Sequence, residues 1–304
     1  METATQRDPP TDAELLSVPA SSERIAGDGV DLHVVTAGDP EDPPVVLLHG
    51  FPDFWYGWRE QVPALVDAGY RVVAPDQRGY NLSDAPEAVR DYRIDRLVAD
   101  AAAVVRSTGR ESAHVVGHDW GAMVAWSLAL RRPSLVDRLG IVNVPHPTVF
   151  GRTLRSNPRQ ILRSTYAFGM QLPRLPEWAL SRNDGDLLAS TLESTARPGT
   201  FSAAELRRYR AAWDHPGVVR GMVNWYRAAG RYGIRPPVDR VEPSTLVVWG
   251  EEDDALVPEM AGESVEFCVD GRLERFPNAS HWVHLERPDT VSDLLVDHLD
   301  AAGD

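Results

Sequence analysis

The sequence predicts an α/β fold, a mostly parallel, doubly wound sheet carrying an inserted helical cap. Three observations predict it. Short apolar runs alternate with helical stretches from residue 30 to residue 143 and again from 246 to 300, the order that a parallel sheet with crossover helices requires. Residues 145–237 between them read as helical and aromatic, with no clear strand. One apolar run, Ala113–Val116, passes through Gly117-His118-Asp119-Trp120-Gly121 straight into a helical run, Ala122–Leu130.

The elements follow in order. Val30–Thr36 is a strand, and Val45–Leu48 is a short, wholly apolar run suited to a strand buried on both faces. It ends in His49-Gly50-Phe51-Pro52. Trp55–Ala68 reads as one helix closed by Gly69. Arg71–Ala74 is a strand running into the loop Pro75-Asp76-Gln77-Arg78-Gly79-Tyr80, where Asp76 reads as a structural carboxylate. Ile94–Ser107 is a helix closed by Gly109, and Leu139–Asn143 is the strand after the Asp119 turn. The alternation breaks at Pro145-His146-Pro147. It resumes with strands at Leu246–Trp249 and Leu273–Phe276 and a helix from Asp289 to about Asp300. The expected organisation is therefore a core of residues 1–144 and 238–304 with a helical cap over 145–237. About the first 20 residues, polar and Pro-containing, are expected to be poorly ordered.

Composition narrows the function classes. The chain has 304 residues, nine Trp and a net charge of −14, with no basic run. It is large enough for a sizeable core, and its charge makes nucleic acid and anionic membrane poor partners. The single cysteine, Cys268, rules out an intrachain disulfide, reads as a small core residue, and fits a reducing, cytoplasmic setting. The N-terminal stretch lacks the basic start and apolar run of a signal peptide, and no apolar run reaches membrane-spanning length.

Strand, small residue, one residue, nucleophile position, one residue, small residue, helix is the nucleophile elbow of the α/β-hydrolase fold. Most such elbows carry Ser, which makes acyl-enzymes. Asp119 stands there instead, and a carboxylate can attack an sp³ carbon and leave an alkyl ester on the enzyme. Two later strand ends supply partners in the order that the fold demands. Val248-Trp249-Gly250 runs into Glu251-Glu252-Asp253-Asp254, and Phe276 runs into Pro277-Asn278-Ala279-Ser280-His281. His281 is the expected general base. Asp253 is its expected orienting acid, preferred over Asp254 because G-x-x-D precedes Ala255-Leu256-Val257-Pro258. His284 reads as a surface or supporting residue, and His49 and His118 as pointing away from the nucleophile. The expected oxyanion donors are the backbone N–H groups of Trp120 and Phe51.

These residues make the chain recognisable. It resembles the soluble α/β-hydrolase-fold epoxide hydrolases over nearly its whole length. The core match lies in HGFPDFWYGWR (His49–Arg59), DQRGYNLSD (Asp76–Asp84), GHDWGA (Gly117–Ala122) and NVPHP (Asn143–Pro147). In the 145–237 insert it lies in STYAFGMQLP (Ser164–Pro173) and NWYR (Asn224–Arg227). The resemblance implies that Tyr166 and Tyr226 hydrogen-bond the epoxide oxygen, that Pro52 follows a cis peptide bond, and that Phe51, Pro52 and Trp120 line the substrate site. A phenol, protonated at neutral pH, suits a donor to an oxygen that gains charge as its C–O bond breaks. The departure is Ala167, which places no side-chain amide after the first tyrosine. The implied reaction opens an epoxide to a vicinal diol through an ester on Asp119, using water and no metal or organic cofactor. Whether the chain acts as a monomer or a homodimer is left open by the sequence.

Two other readings remain open at this level. A haloalkane or haloacid dehalogenase shares the Asp, the His and the acid but needs halide donors. This chain has Phe51 after His-Gly and Trp120 beside the nucleophile, where two dehalogenase types place Asn and Arg. A non-catalytic ligand receptor on this fold has no need to keep nucleophile, acid, base and tyrosines together.

Overall fold

Why a sheet forms is plain from residue type. β3 (Pro44–Leu48) and the middle of β7 (Ser244–Gly250) are runs of Val and Leu that are buried throughout. In this computed structural model, which describes residues 15–301, eight strands form one sheet. They are β1 (Ala20–Ala26), β2 (Asp31–Ala37), β3, β4 (Arg71–Pro75), β5 (Ala113–His118), β6 (Val136–Val142), β7 and β8 (Gly271–Phe276), in the spatial order β1-β2-β4-β3-β5-β6-β7-β8. β2 pairs antiparallel with β1 and β4, and every other pairing is parallel.

The order reverses between β3 and β5. The chain steps outward from β3 to β4 and then returns to β5, which pairs Leu48 with Gly117. At such a switch point two strand-end loops diverge and leave a crevice. Here the two loops are His49–Pro52 and the Asp119 turn.

Helices cover both faces. α1 (Gln61–Asp67), α2 (Ile94–Ser107) and α3 (Trp120–Arg131) belong to the first half of the sheet. α2 buries Ile94, Leu97, Val98, Ala101, Val104 and Val105 on one stripe, the spacing expected of an amphipathic helix. α3 buries every residue from Gly121 to Leu130, because it lies behind the central strands. Seven helices then follow between β6 and β7: α4 (Pro147–Ser156), α5 (Pro158–Arg163), α6 (Thr165–Gly169), α7 (Leu175–Ser181), α8 (Asp186–Thr195), α9 (Ala203–Trp213) and α10 (Val218–Tyr232). α9 opens with a reciprocal Ser202–Glu205 capping box. α11 (Glu259–Val265), α12 (Val283–Glu286) and α13 (Pro288–Asp300) complete the fold.

Three sequence expectations need correction. β1 lies where only a polar leader was expected. Its side chains are mostly exposed because it is an edge strand, specified by its ladder to β2. Residues 1–14 of that leader fall outside the described residues, while Leu15, Leu16 and Val18 pack against the core. The single helix expected over 55–68 is two pieces, a 3₁₀ turn at Trp55–Trp58 and then α1. Pro63 has no N–H to donate, so the helix restarts where Pro63 falls in the first turn. Cys268 is buried, as read from the sequence.

Candidate active site

The elbow is built by backbone strain and close approach. Asp119 has φ 50° and ψ −123°, a conformation rarely adopted by a non-glycine residue, with a cost on the order of 1–3 kcal/mol. The surrounding structure enforces it. A Cβ on Gly121 would stand 2.0 Å from the Leu48 carbonyl oxygen, and one on Gly50 would stand 2.3 Å from the Asp119 Cβ. Only glycine admits these contacts, and they press the two switch-point loops together.

The loops meet in hydrogen bonds. The Phe51 N–H donates to Asp119 Oδ1 at 2.7 Å. Asp119 Oδ2 faces His281 Nε2 at 3.5 Å. On the other side of the ring His281 Nδ1 meets Asp253 Oδ2 at 2.7 Å. Asp253 is buried while Asp254 is exposed, so the G-x-x-D carboxylate is the one beside His281. The Phe51–Pro52 peptide is cis.

Electrostatics follow from this geometry. Burial alone would raise the Asp119 carboxyl, but contact with His281, the His281 charge and the Phe51 N–H together hold it below its ordinary range. Asp253 is likewise held down against burial, by His281 and Asn143. His281 is raised well above the usual imidazole range. Burial opposes its charge, but Asp253 and Asp119 on either side of the ring outweigh burial. The two carboxylates thus favour the protonated form of the ring between them.

The tyrosines complete the arrangement. The Tyr226 ring stands edge-on to Phe51 at 5.2 Å, to Trp120 at 5.1 Å and to Tyr166 at 5.8 Å between centroids. Tyr226 is buried. Tyr166 keeps 47% of its surface open, so this side faces solvent. Both phenols are raised above their ordinary range. Desolvation leads in each case, with the Asp119 charge adding to it. Both therefore carry their protons and are coupled to the nucleophile. The structure brings Asp119, His281, Asp253, Tyr166, Tyr226, Phe51 and Trp120 to one place.

One supporting residue, Asn143, escaped sequence reasoning, whereas His49 and Asp76 stand as read from the sequence. Asn143 takes a left-handed conformation, φ 49°, at the end of β6. From there its Nδ2 donates to Asp253 Oδ2 at 2.8 Å and its Oδ1 accepts from the Gly250 N–H at 2.8 Å. The motif NVPHP contained it, but no signal in the sequence assigned it a task. His49 turns away from Asp119, with Nδ1 on the Gly50 carbonyl at 2.9 Å and Nε2 accepting from the Gln77 N–H at 3.0 Å. Asp76 is buried and accepts from Trp55 N–H and Asn81 Nδ2 at 3.1 and 2.8 Å, which makes it a loop organiser.

His284 is not a surface residue; it is fully buried between Trp58 and His118. With Asp53 and His118 it forms the one group of metal-ligand type among the described residues, with ligand atoms within 4.8 Å of one another. His118 Nε2 is engaged with the His281 carbonyl at 2.9 Å, and Asp53 Oδ1 with the Phe54 N–H at 2.8 Å. Burial pushes the Asp53 carboxyl up to about 7.

A doubly wound sheet with a strained acid elbow, a His and a second carboxylate in this chain order defines an α/β hydrolase. Comparison with known proteins agrees. Residues 43–288 match the model of the alpha/beta hydrolase fold family. The chain is 44% identical to the AB hydrolase superfamily protein YfhM of Bacillus subtilis, over 89% of this chain and 95% of that protein. It is 38% identical to Epoxide hydrolase 4 of Mus musculus, over 90% of this chain and 77% of that protein. It superposes on the crystal structure of Epoxide Hydrolase A from Mycobacterium thermoresistibile with a TM-score of 0.81 and 33% identity, covering 92% of this chain and 98% of that one. The chain belongs to the epoxide hydrolase family of α/β hydrolases.

Proposed function

We propose that this hydrolase opens an organic epoxide to a vicinal diol through a covalent ester on Asp119, with residues 145–237 serving as the cap over the site. The observation that carries the reading is geometric: Tyr166 packs on Tyr226, and Tyr226 stands edge-on to Trp120 and Phe51, the two residues that flank the Asp119 carboxylate. Asp119 Oδ2 bears no backbone donor among its described bonds and is the attacking oxygen. It forms a bond to an epoxide carbon from the side opposite the C–O bond, and the C–O electron pair goes to the ring oxygen. Tyr166 and Tyr226 hydrogen-bond or protonate that oxygen as its charge develops. Oδ1, already on the Phe51 N–H, becomes the ester carbonyl oxygen.

Esterification then changes the base. His281 is raised by two carboxylates, and the ester removes the Asp119 charge. Its proton affinity falls, its proton passes to the new alkoxide or to the tyrosinate left by protonating it, and the neutral ring can then accept a proton from water while Asp253 holds it. Water attacks the ester carbonyl carbon, and the oxyanion rests against the Phe51 and Trp120 N–H groups. The diol leaves with a proton returned from His281, and Asp119 is regenerated.

Phe51, Pro52 and Trp120 are the apolar lining offered to the substrate. No helix among the described residues is long and apolar enough to cross a membrane. With the single cysteine, this supports a cytoplasmic setting.

The test is single turnover with excess enzyme in ¹⁸O-water. Label is expected in the Asp119 carboxylate, located by peptide mass spectrometry. Diol formation without label in that peptide means direct hydration and removes the ester from the mechanism.

A further inference from the structure

α6, the helix that carries Tyr166, is five residues long and buries none of them. Its own packing therefore does little to fix where that phenol stands. α5, immediately before it, is held differently. Gln160 is fully buried and all its polar groups are engaged. Its Nε2 donates to the Ala255 carbonyl and the Ser164 hydroxyl, each at 2.9 Å, and its Oε1 accepts from the Val257 N–H at 3.0 Å. Three residues on, Arg163 Nη1 donates to the carbonyls of Asp253 and Leu256 at 2.6 and 2.7 Å. One turn of helix thus places four hydrogen bonds on residues 253–257, the loop that presents the acid of the triad.

That loop is held independently from the core side. The Asp253 carboxylate accepts from the Ala255 and Leu256 N–H groups at 2.8 and 3.0 Å and from Asn143 at 2.8 Å. The loop is the fixed partner and α5 the element being placed. Just beyond the other end of α6, Gln171 Nε2 donates to the Tyr226 carbonyl at 2.9 Å, which ties this segment to α10. Tyr166 stands between these two attachments, and only the Gln160–Arg163 one refers it directly to the triad.

We propose that Gln160 and Arg163 are positioning residues that register Tyr166 against Asp119 by latching α5 to the acid loop. This rests on the reading of Tyr166 as a donor to the epoxide oxygen. Ring opening then depends on the latch, and hydrolysis of the ester does not, because His281 and Asp253 are placed by the core.

The experiment uses rapid mixing with styrene oxide, following alkylation by Trp fluorescence and ester decay by quenched intact mass. The proteins are wild type, Gln160→Met, Arg163→Ala, Arg163→Lys, Tyr166→Phe and the Gln160→Met/Tyr166→Phe double variant. Gln160→Met and Arg163→Ala are expected to slow alkylation by on the order of 10- to 100-fold, the usual cost of a small misplacement of a reacting group. Ester hydrolysis and its pH profile should stay within about twofold of wild type. Arg163→Lys should recover part of the alkylation rate, since an ammonium can still reach one of the two carbonyls. In the Tyr166→Phe background, Gln160→Met should slow alkylation no further, because the positioned group is already gone.

Wild-type alkylation in folded Gln160→Met and Arg163→Ala would overturn the proposal, leaving the latch as cap attachment only. So would a slowing by Gln160→Met that multiplies undiminished onto Tyr166→Phe. If Tyr166→Phe alone alkylates at the wild-type rate, the donor role of Tyr166 fails and the inference falls with it, an outcome distinct from the other two.

Discussion

Asn143 Nδ2 and His281 Nδ1 meet the same oxygen, Asp253 Oδ2, at 2.8 and 2.7 Å. One carboxylate oxygen thus faces two donors from opposite sides, and the residue at the end of β6 helps aim the base at the end of β8. Asn143→Gly keeps the left-handed backbone that the position requires and removes only the side chain. Ester hydrolysis should slow by on the order of tenfold, and stability should fall by about 1–3 kcal/mol, because the Gly250 N–H also loses its acceptor. Stopped-flow ester decay and urea unfolding measure the two effects. Unchanged ester decay would confine Asn143 to holding the loops.

On the proposed mechanism the base acts after alkylation. His281→Gln should allow the ester to form and then slow its hydrolysis severely. Intact-mass spectra should show a persistent adduct equal to the added epoxide. Normal turnover would remove His281 from the mechanism. His284 cannot substitute for it, since it is buried beyond His118.

The tyrosine pair separates epoxide opening from dehalogenation. Tyr166→Phe and Tyr226→Phe should each slow alkylation by on the order of 10- to 1,000-fold, and the double variant should be close to inactive. Ester hydrolysis should change little. Wild-type alkylation in both single variants would make the phenols packing residues, and halide release from alkyl halides would then be the measurement to make.

Asp53 makes stability depend on pH. Burial lifts its pKa from 3.8 to about 7, so between those values the folded protein holds a proton that the unfolded chain has released. This contribution is fully present below the unfolded value and is lost as pH rises through about 7. Burial lowers His118 and His284 beside it well below their ordinary range. Asp53→Asn should therefore lose less stability than wild type between mildly acidic and mildly alkaline buffer, read as urea midpoints. Parallel curves for the two proteins would show that Asp53 is ionised in the fold.

The parts of this molecule legible in the sequence are those whose cause is local. α2 runs over Ile94–Ser107, as its periodicity predicts, since one apolar stripe both forms the helix and seats it. The elbow was legible because Gly117 and Gly121 bracket Asp119 for steric reasons that leave no other residue type available. What was not legible depends on distant partners. β1 exists because of β2, and its exposed side chains carry little pattern. Asn143 meets a residue 110 positions away, and Gln160 one that is 95 positions away. An amide in either place has many ordinary uses, and only the fold selects one. Of the two readings of His284, surface or supporting, the surface one fails for the same reason, because its burial is made by Trp58 and His118 from other parts of the chain.

β6 and β7 are parallel neighbours, so the chain must in any case travel from the end of one back to the start of the other. The helices α4 to α10 occupy that return journey and interrupt no pairing in the sheet. The return journey is therefore an interchangeable part. On the proposed reading, a relative's version of residues 147–232 grafted there is expected to change substrate selection while Asp119, Asp253 and His281 stay in the recipient's own frame. Such a graft would have to reproduce the contacts that join it to the core, among them the Gln160–Arg163 grip on the acid loop, the Trp213 and Trp225 indoles donating to the Pro52 and Arg78 carbonyls, and ion pairs such as Arg59–Glu205 and Arg197–Glu252.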